Sequence, residues 1–286
     1  MNISFPYCGR TNLRTPFHNR SRSLSPHEER AGERAGERGC FSAMKPRALI
    51  SDIYNTLLEV GPPPSDAAER WESLWEDTLA DPARLRLEEF TVACEKIIAR
   101  EHGAAIQVGV QNPEIYWPAV AQEALPELAS LAERERDEFL YQHAQLQRTV
   151  RLMPGAGEVL GKLEERNVLL GLASNCQPYT LRELDGALAT AKLSRAVFKP
   201  ELCFFSFAAG FSKPNPHAFR LLRAELQACG ISPADTLFVG DRLVNDLEPA
   251  RAHGFQTWQL AVAPPSDGHA GGDWSVLGRH LARGVA

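Results

Sequence analysis

Ala48-Leu49-Ile50-Ser51-Asp52-Ile53-Tyr54-Asn55-Thr56 is the stretch on which the reading of this chain turns. Ala-Leu-Ile-Ser has the length and apolarity of a buried strand, and a carboxylate, Asp52, stands where polarity returns in a turn-like I-Y-N-T. Val168 to Ala173 reads as a second such strand, ending in Ser174-Asn175, and Thr236 to Val239 as a third, ending in Gly240-Asp241. Phe255 to Val262 reads as a fourth. Helical patterns lie between them. Glu158 to Glu165 follows Pro154-Gly155 with Val159, Leu160 and Leu163 on one face, and Pro216 to Cys229 sets Phe219, Leu222 and Leu226 on one face before Gly230. Strands alternating with helices predict an α/β fold built on a parallel sheet.

The block from Gly61 to about Val150 shows no strand pattern, and its apolar residues recur at helical spacing. Trp71, Leu74, Trp75 and Leu79 form one stripe, Phe90, Cys94, Ile97 and Ile98 a second, and Leu125, Leu128, Leu131 and Ala132 a third. An all-helical insert is expected over residues 61–150, with the sheet domain formed by 45–60 and 151–286. Pro62-Pro63-Pro64 marks the entrance and Met153-Pro154-Gly155 follows the exit.

Before Met44 the composition changes. Residues 1–43 hold seven Arg against four Glu, three prolines and a tandem A-G-E-R repeat, with no apolar periodicity to drive burial. A disordered leader is expected over 1–44, read as an unstructured extension or an overextended gene start. Its Arg- and Ser-rich opening also has the composition of an organelle transit peptide, although Pro6, Pro16 and Pro26 interrupt any amphipathic helix.

The 286 residues carry 31 Lys plus Arg against 36 Asp plus Glu, and this net charge of −5 gives a polyanion such as nucleic acid no electrostatic footing. The most apolar window, Leu202 to Phe211, is half the length of the roughly 20 residues that span a bilayer. Cysteines at 8, 40, 94, 176, 203 and 229 form no C-x-x-C pair, so a reducing, cytoplasmic setting is expected. Neither a membrane nor a nucleic-acid partner is expected. Oligomeric state has no sequence signal here.

Four polar clusters follow apolar segments: Asp52 with Thr56, Ser174 with Asn175, Lys213 in G-F-S-K-P-N-P, and Asp241 with Asp246 in V-G-D-R-L-V-N-D. A single Asp after a strand is more often a turn or a helix cap. All four in this order are hard to explain as caps, because the strand ends of an open parallel sheet converge on one crevice. In that order and spacing the chain resembles the haloacid dehalogenase-like hydrolase superfamily over roughly Arg47 to Leu260. The resemblance implies a Rossmann-like parallel sheet with helices on both faces and an α-helical cap inserted after the first motif. It further implies Asp52 as nucleophile, Ser174 and Lys213 as the groups that hold the transferring anion, and Thr56 and Asn175 beside them. Mg²⁺ would bind Asp52, the backbone carbonyl of Tyr54 and Asp241, with Asp246 acting mainly through water.

The chemistry is consistent with those roles. A carboxylate nucleophile splits phosphoryl transfer into two steps through an aspartyl-phosphate. Fixed donors and cations stabilise the charge on the phosphoryl oxygens, and several carboxylates in one cleft need a cation such as Mg²⁺. The expected partner is a small phosphorylated, anionic metabolite.

Tyr54 departs from the pattern. Phosphatases of the superfamily usually carry a second Asp there as general acid and base, and a phenol is a weak acid and a poor base near neutrality. Either turnover is slow or the leaving group is undemanding. D-x-Y also resembles the 2-haloacid dehalogenases, which expel an unprotonated halide, but those usually have Gly where this chain has Asn55 and lack the paired acids of the last motif. A catalytically weak binding or regulatory protein is the third reading. Trp71, Trp75, Tyr116, Trp117 and His143 are candidates to line the crevice, though packing within the insert or exposure on its surface explains each more simply. Cys176 reads as a buried structural thiol, and His217 falls in the first turn of a helix.

Overall fold

The computed structural model describes residues 45–261 and 270–283; the leader expected over 1–44 and Val262 of the fourth predicted strand lie outside them. The chain runs β1 (Ala48–Ser51), β2 (Leu58–Gly61), α1 (Ala67–Leu79), α2 (Leu87–Gln107), α3 (Trp117–Ala124), α4 (Glu133–Gln147), β3 (Thr149–Leu152), α5 (Ala156–Glu165) and β4 (Leu169–Ser174). It continues through α6 (Pro178–Thr190), β5 (Phe198–Phe205), α7 (Ser206–Ala209), α8 (Pro216–Ala228), β6 (Thr236–Gly240), α9 (Glu248–Ala252), β7 (Gln256–Leu260), β8 (Gly271–Gly272) and α10 (Trp274–Arg283). Six strands form one sheet in the order β5-β4-β1-β6-β7-β8, and every neighbouring pair is parallel.

All four residues of β1 are buried because the sheet is covered on both faces. Leu49 points into a core with Val159, Leu160 and Leu163 of α5, Leu184 and Leu188 of α6, and Trp274 and Leu277 of α10. Ala48 and Ile50 point the other way, to Phe219, Leu222 and Leu226 of α8 and Ala250 of α9. The register sets Ser51 opposite both Leu172 and Val239. Asp52, Ser174 and Asp241 therefore emerge within a residue or two of one another at the same sheet edge.

Helices α1 to α4 have their own apolar core, with Trp71 and Trp75 against Phe90, Trp117, Val120, Phe139 and Leu140. Trp71 stacks on Phe90 at 5.1 Å between centroids, and Trp117 stacks on His143 at 5.8 Å. Trp71, Trp75, Trp117 and His143 are thus packed inside this block, while Tyr116 is exposed on its surface. The third predicted stripe is not one α-helix. Pro126 opens a short 3-10 turn at Pro126–Ser130, so Leu125 and Leu128 join the core from between α3 and α4.

Four of the described strands, β2, β3, β5 and the two-residue β8, have no counterpart in the sequence reading. Strands β2 and β3 form an antiparallel ladder, Leu58 opposite Leu152 and Gly61 opposite Thr149, that bounds the helical block on both sides. Edge strand β5 carries Lys199-Pro200-Glu201, which breaks any alternation; its pairing with β4 jumps from Leu170↔Phe198 to Leu172↔Cys203.

His143 gives the fold a pH dependence. Burial, with a smaller contribution from Arg148, holds its imidazole down to about 3. The unfolded chain takes up that proton first, so the contribution is intact above about pH 6.5 and falls away as pH drops toward 3. A loss of about 2–3 kcal/mol is expected by roughly pH 4.5. Urea titrations at several pH values should show this slope in the natural chain and lack it in His143→Gln.

Candidate active site

Lys213 is the centre of the site. Its Nζ donates to Asp52 Oδ1 at 3.0 Å, to Asp246 Oδ1 at 2.6 Å and to the Ala173 carbonyl at 2.5 Å. All three of its N–H bonds are spent, on groups from the ends of β1 and β4 and from the segment after β6. Lys213 is only 3% exposed, Asp52 8% and Asp246 1%. Burial alone would pull the Lys213 ammonium down, but the adjacent Asp246 and Asp52 more than offset it and hold it above the ordinary lysine range.

Asp52, Asp241 and Asp246 each offer a carboxylate oxygen, and these atoms lie within 4.8 Å of one another. Burial and then the two neighbouring acids push Asp241 up to about 7. Burial also pushes Asp246 up, against the pull of Lys213. Gly240 makes this approach possible: a Cβ there would come within 2.6 Å of the Asp246 Cβ. Arg242 N donates to Asp246 Oδ2 at 3.2 Å and fixes the second oxygen of that carboxylate. An all-oxygen donor set carrying more negative charge than one ammonium can balance fits a hard divalent cation.

The other expected residues divide. Asn175 spends its amide on the main chain of Lys213, donating to its carbonyl at 2.8 Å and accepting from its N–H at 2.7 Å, so it positions the lysine. Ser174 Oγ is buried without a nitrogen or oxygen partner, its neighbour being the Cys176 thiol. Thr56 is fully buried, its hydroxyl is unpartnered, and its carbonyl accepts from Trp274 Nε1 at 2.8 Å. That bond ties the Thr56 main chain to α10. Cys176 is buried, and that burial pushes its thiol up, away from a reactive thiolate.

Tyr54 is held by groups the sequence did not single out. Its hydroxyl is hydrogen-bonded to Glu183 and to Thr180 Oγ1 at 2.8 Å, and it accepts from an Arg148 Nη at 2.6 Å. The Arg148 guanidinium lies 4.6 Å from the centre of the Tyr54 ring and pairs with Glu183 at 3.1 Å. Burial, reinforced by Glu183 and opposed by Arg148, raises the phenol well above its ordinary value. Glu183 could have been found from its place in α6: it falls on the buried stripe Thr180, Glu183, Leu184, Ala187 and Leu188, where a carboxylate requires a partner.

The helical block meets the Lys213 loop through main-chain bonds. Ser212 N donates to Asn112 O at 2.9 Å and Glu114 N to Gly210 O at 3.2 Å. Gln177, just past Ser174-Asn175, donates to Glu114 Oε1 at 3.1 Å.

The profile of the haloacid dehalogenase-like hydrolase family matches residues 46–254, and the chain belongs to that family. It is 31% identical over 159 residues to the phosphoserine phosphatase of Thermus thermophilus, a match covering 55% of this chain. The chain spans 59% of the length of that curated relative. The 2-haloacid dehalogenase from Pseudomonas syringae pv. Tomato DC3000 is similar in structure, with a TM-score of 0.53 and 19% identity over 84% of this chain and 99% of that one. The magnesium-bound putative HAD-hydrolase YfnB from Bacillus subtilis is similar with a TM-score of 0.50 and 20% identity, over 83% of this chain and 99% of the other. At these identities the likeness is one of fold. This chain has the Rossmann-like core of the haloacid dehalogenase-like hydrolase family, and no helix among its described residues is long and apolar enough to cross a membrane.

Proposed function

We propose that the chain hydrolyses a small phosphorylated metabolite in two steps, with Asp52 as nucleophile and Mg²⁺ as cofactor, in a cytoplasmic setting. The observation that carries this reading is the carboxylate trio within 4.8 Å around one lysine. Fully ionised, three carboxylates and one ammonium leave two negative charges, which repel an anionic substrate; one divalent cation cancels them. Asp52, the Tyr54 carbonyl and Asp241 would hold the ion, and Asp246 would act through water. When bound, it supplies charge neutralisation for the phosphoryl oxygens.

Lys213 aims the Asp52 carboxylate by its 3.0 Å hydrogen bond, and Asn175 keeps Lys213 in place. Asp52 attacks phosphorus, an Asp52 Oδ–P bond forms and the bond to the leaving oxygen breaks. Water then attacks the aspartyl-phosphate, releasing inorganic phosphate and restoring the carboxylate. The Ser174 hydroxyl, without a nitrogen or oxygen partner, is available to a phosphoryl oxygen. Residues 61–150 would act as a cap that closes over the crevice and selects the substrate.

Purified protein is expected to release phosphate from p-nitrophenyl phosphate only with Mg²⁺ present, and to stop when EDTA is added. A second reading, dehalogenation of a 2-haloacid, is favoured by one observation, the Tyr at position 54. Metal-independent release of chloride from 2-chloropropionate would replace the first reading with the second.

A further inference from the structure

We propose that Glu183 and Arg148, acting through the phenol of Tyr54, are positioning residues for the cation: they fix the Tyr54 main-chain carbonyl and thereby set the site's preference for Mg²⁺. The inference rests on the preceding reading of that carbonyl as a ligand of the ion.

The turn after β1 gives this carbonyl little support of its own. Ile53 O accepts from the N–H groups of Thr56, Leu57 and Leu58, at 3.3, 2.8 and 2.8 Å, and Leu58 O accepts from Asn55 N at 2.7 Å. Of these bonds, the last alone involves the peptide unit between Tyr54 and Asn55. It grips the N–H edge, so the carbonyl on the opposite edge of a trans peptide is aimed away from Leu58, and the plane can still rock. Asn55 also stands at a φ of 56°, a left-handed conformation that asparagine adopts less readily than glycine. A second anchor on Tyr54 removes that freedom.

The side chain supplies the anchor. The Tyr54 hydroxyl is hydrogen-bonded to Glu183 and to Thr180 Oγ1, and it accepts from an Arg148 Nη. The Glu183 side chain is fully buried, and that of Arg148 is 13% exposed. The guanidinium reaches both oxygens of Glu183, at 3.2 and 3.1 Å, and Gln145 Nε2 donates to Oε1 at 2.9 Å. A buried carboxylate and guanidinium bonded in this way cannot part without stranding a charge, so the phenol is tied to a fixed point.

The three partners come from different parts of the fold. Gln145 lies in α4 and Arg148 just after it, at the return from the helical block, while Thr180 and Glu183 lie in α6, the helix that follows Ser174. The brace therefore joins the nucleophile turn to both. Its chemical consequence is selectivity. Mg²⁺ demands near-ideal octahedral geometry, whereas Ca²⁺ accepts irregular ligands, so a carbonyl held in one place favours Mg²⁺ and a rocking one costs Ca²⁺ little.

The test is calorimetric titration of the full chain with Mg²⁺ and, separately, with Ca²⁺, in the absence of substrate. Tyr54→Phe removes only the hydroxyl and leaves the Arg148–Glu183 pair intact. It should raise the Kd for Mg²⁺ by about tenfold or more, as loss of a group supporting a metal ligand typically does. The Kd for Ca²⁺ should stay within about threefold. Glu183→Gln should shift the two ions in the same sense. Arg182→Ala cuts the 2.9 Å surface pair with Glu138 that also joins α6 to α4, without touching Tyr54, and should leave both affinities unchanged. An unchanged Mg²⁺ affinity in Tyr54→Phe would overturn the inference while sparing the cation site. An equal loss for both ions, or the same loss in Arg182→Ala, would also overturn it, by showing general loosening. A natural chain that binds no Mg²⁺ would overturn the cation reading as well.

Discussion

Asp52→Asn is expected to abolish turnover, lowering kcat by about 10⁴-fold or more, as removal of a catalytic nucleophile does elsewhere. Asparagine preserves the shape and can still accept from Lys213 Nζ, now 3.0 Å from Asp52 Oδ1. It also removes one of three crowded carboxylates, so the protein should fold at least as stably as before. Loss of activity with an unchanged or raised melting temperature assigns Asp52 to the chemistry. Phosphate release by the Asn variant within tenfold of the natural chain would remove Asp52 from the nucleophile's role.

Lys213→Met has the largest expected effect on stability. The substitution keeps the apolar stem but strips Asp52 and Asp246 of their buried counter-charge, and breaking a buried pair by removing one partner costs about 3–5 kcal/mol. It also leaves the Ala173 carbonyl without its donor. Activity should disappear with the fold weakened, and added Mg²⁺ should recover part of the lost stability, because the carboxylates then regain a cation. Chemical denaturation with and without Mg²⁺ reads both effects. A variant as stable as the natural chain in the absence of metal would show that the lysine does not balance these acids.

The positions of Asp52, Ser174, Lys213, Asp241 and Asp246 could be foreseen because each follows an apolar segment, and a parallel sheet brings such ends together whatever their separation in the chain. The helices of the core were equally readable, since Val159, Leu160 and Leu163 or Phe219, Leu222 and Leu226 repeat at the period of the element that buries them. The failures have local causes. Strand β5 was hidden by Lys199-Pro200-Glu201, polar residues at a place where the strand swings away from β4. Strands β2 and β3 are four residues each and half exposed, too short to show alternation. Asn175 was placed in the right turn, but which way its side chain faces depends on bonds to the Lys213 main chain, distant in sequence. The Tyr54–Arg148–Glu183 brace was missed because it joins three segments, none of which carries a strand-end motif at Arg148 or Glu183.

The β2–β3 ladder makes the helical excursion nearly free for the core to carry. Thr149 N donates to the Pro62 carbonyl at 3.1 Å, so the chain leaves and returns through one doorway whose two jambs are bonded to each other. Loop closure grows only logarithmically with length, and here the closure is made by the ladder itself. To the six-stranded sheet, the four-helix excursion is topologically a hairpin turn. Helices of that excursion can be lengthened or trimmed without altering the register that aligns Asp52 with Ser174 and Asp241.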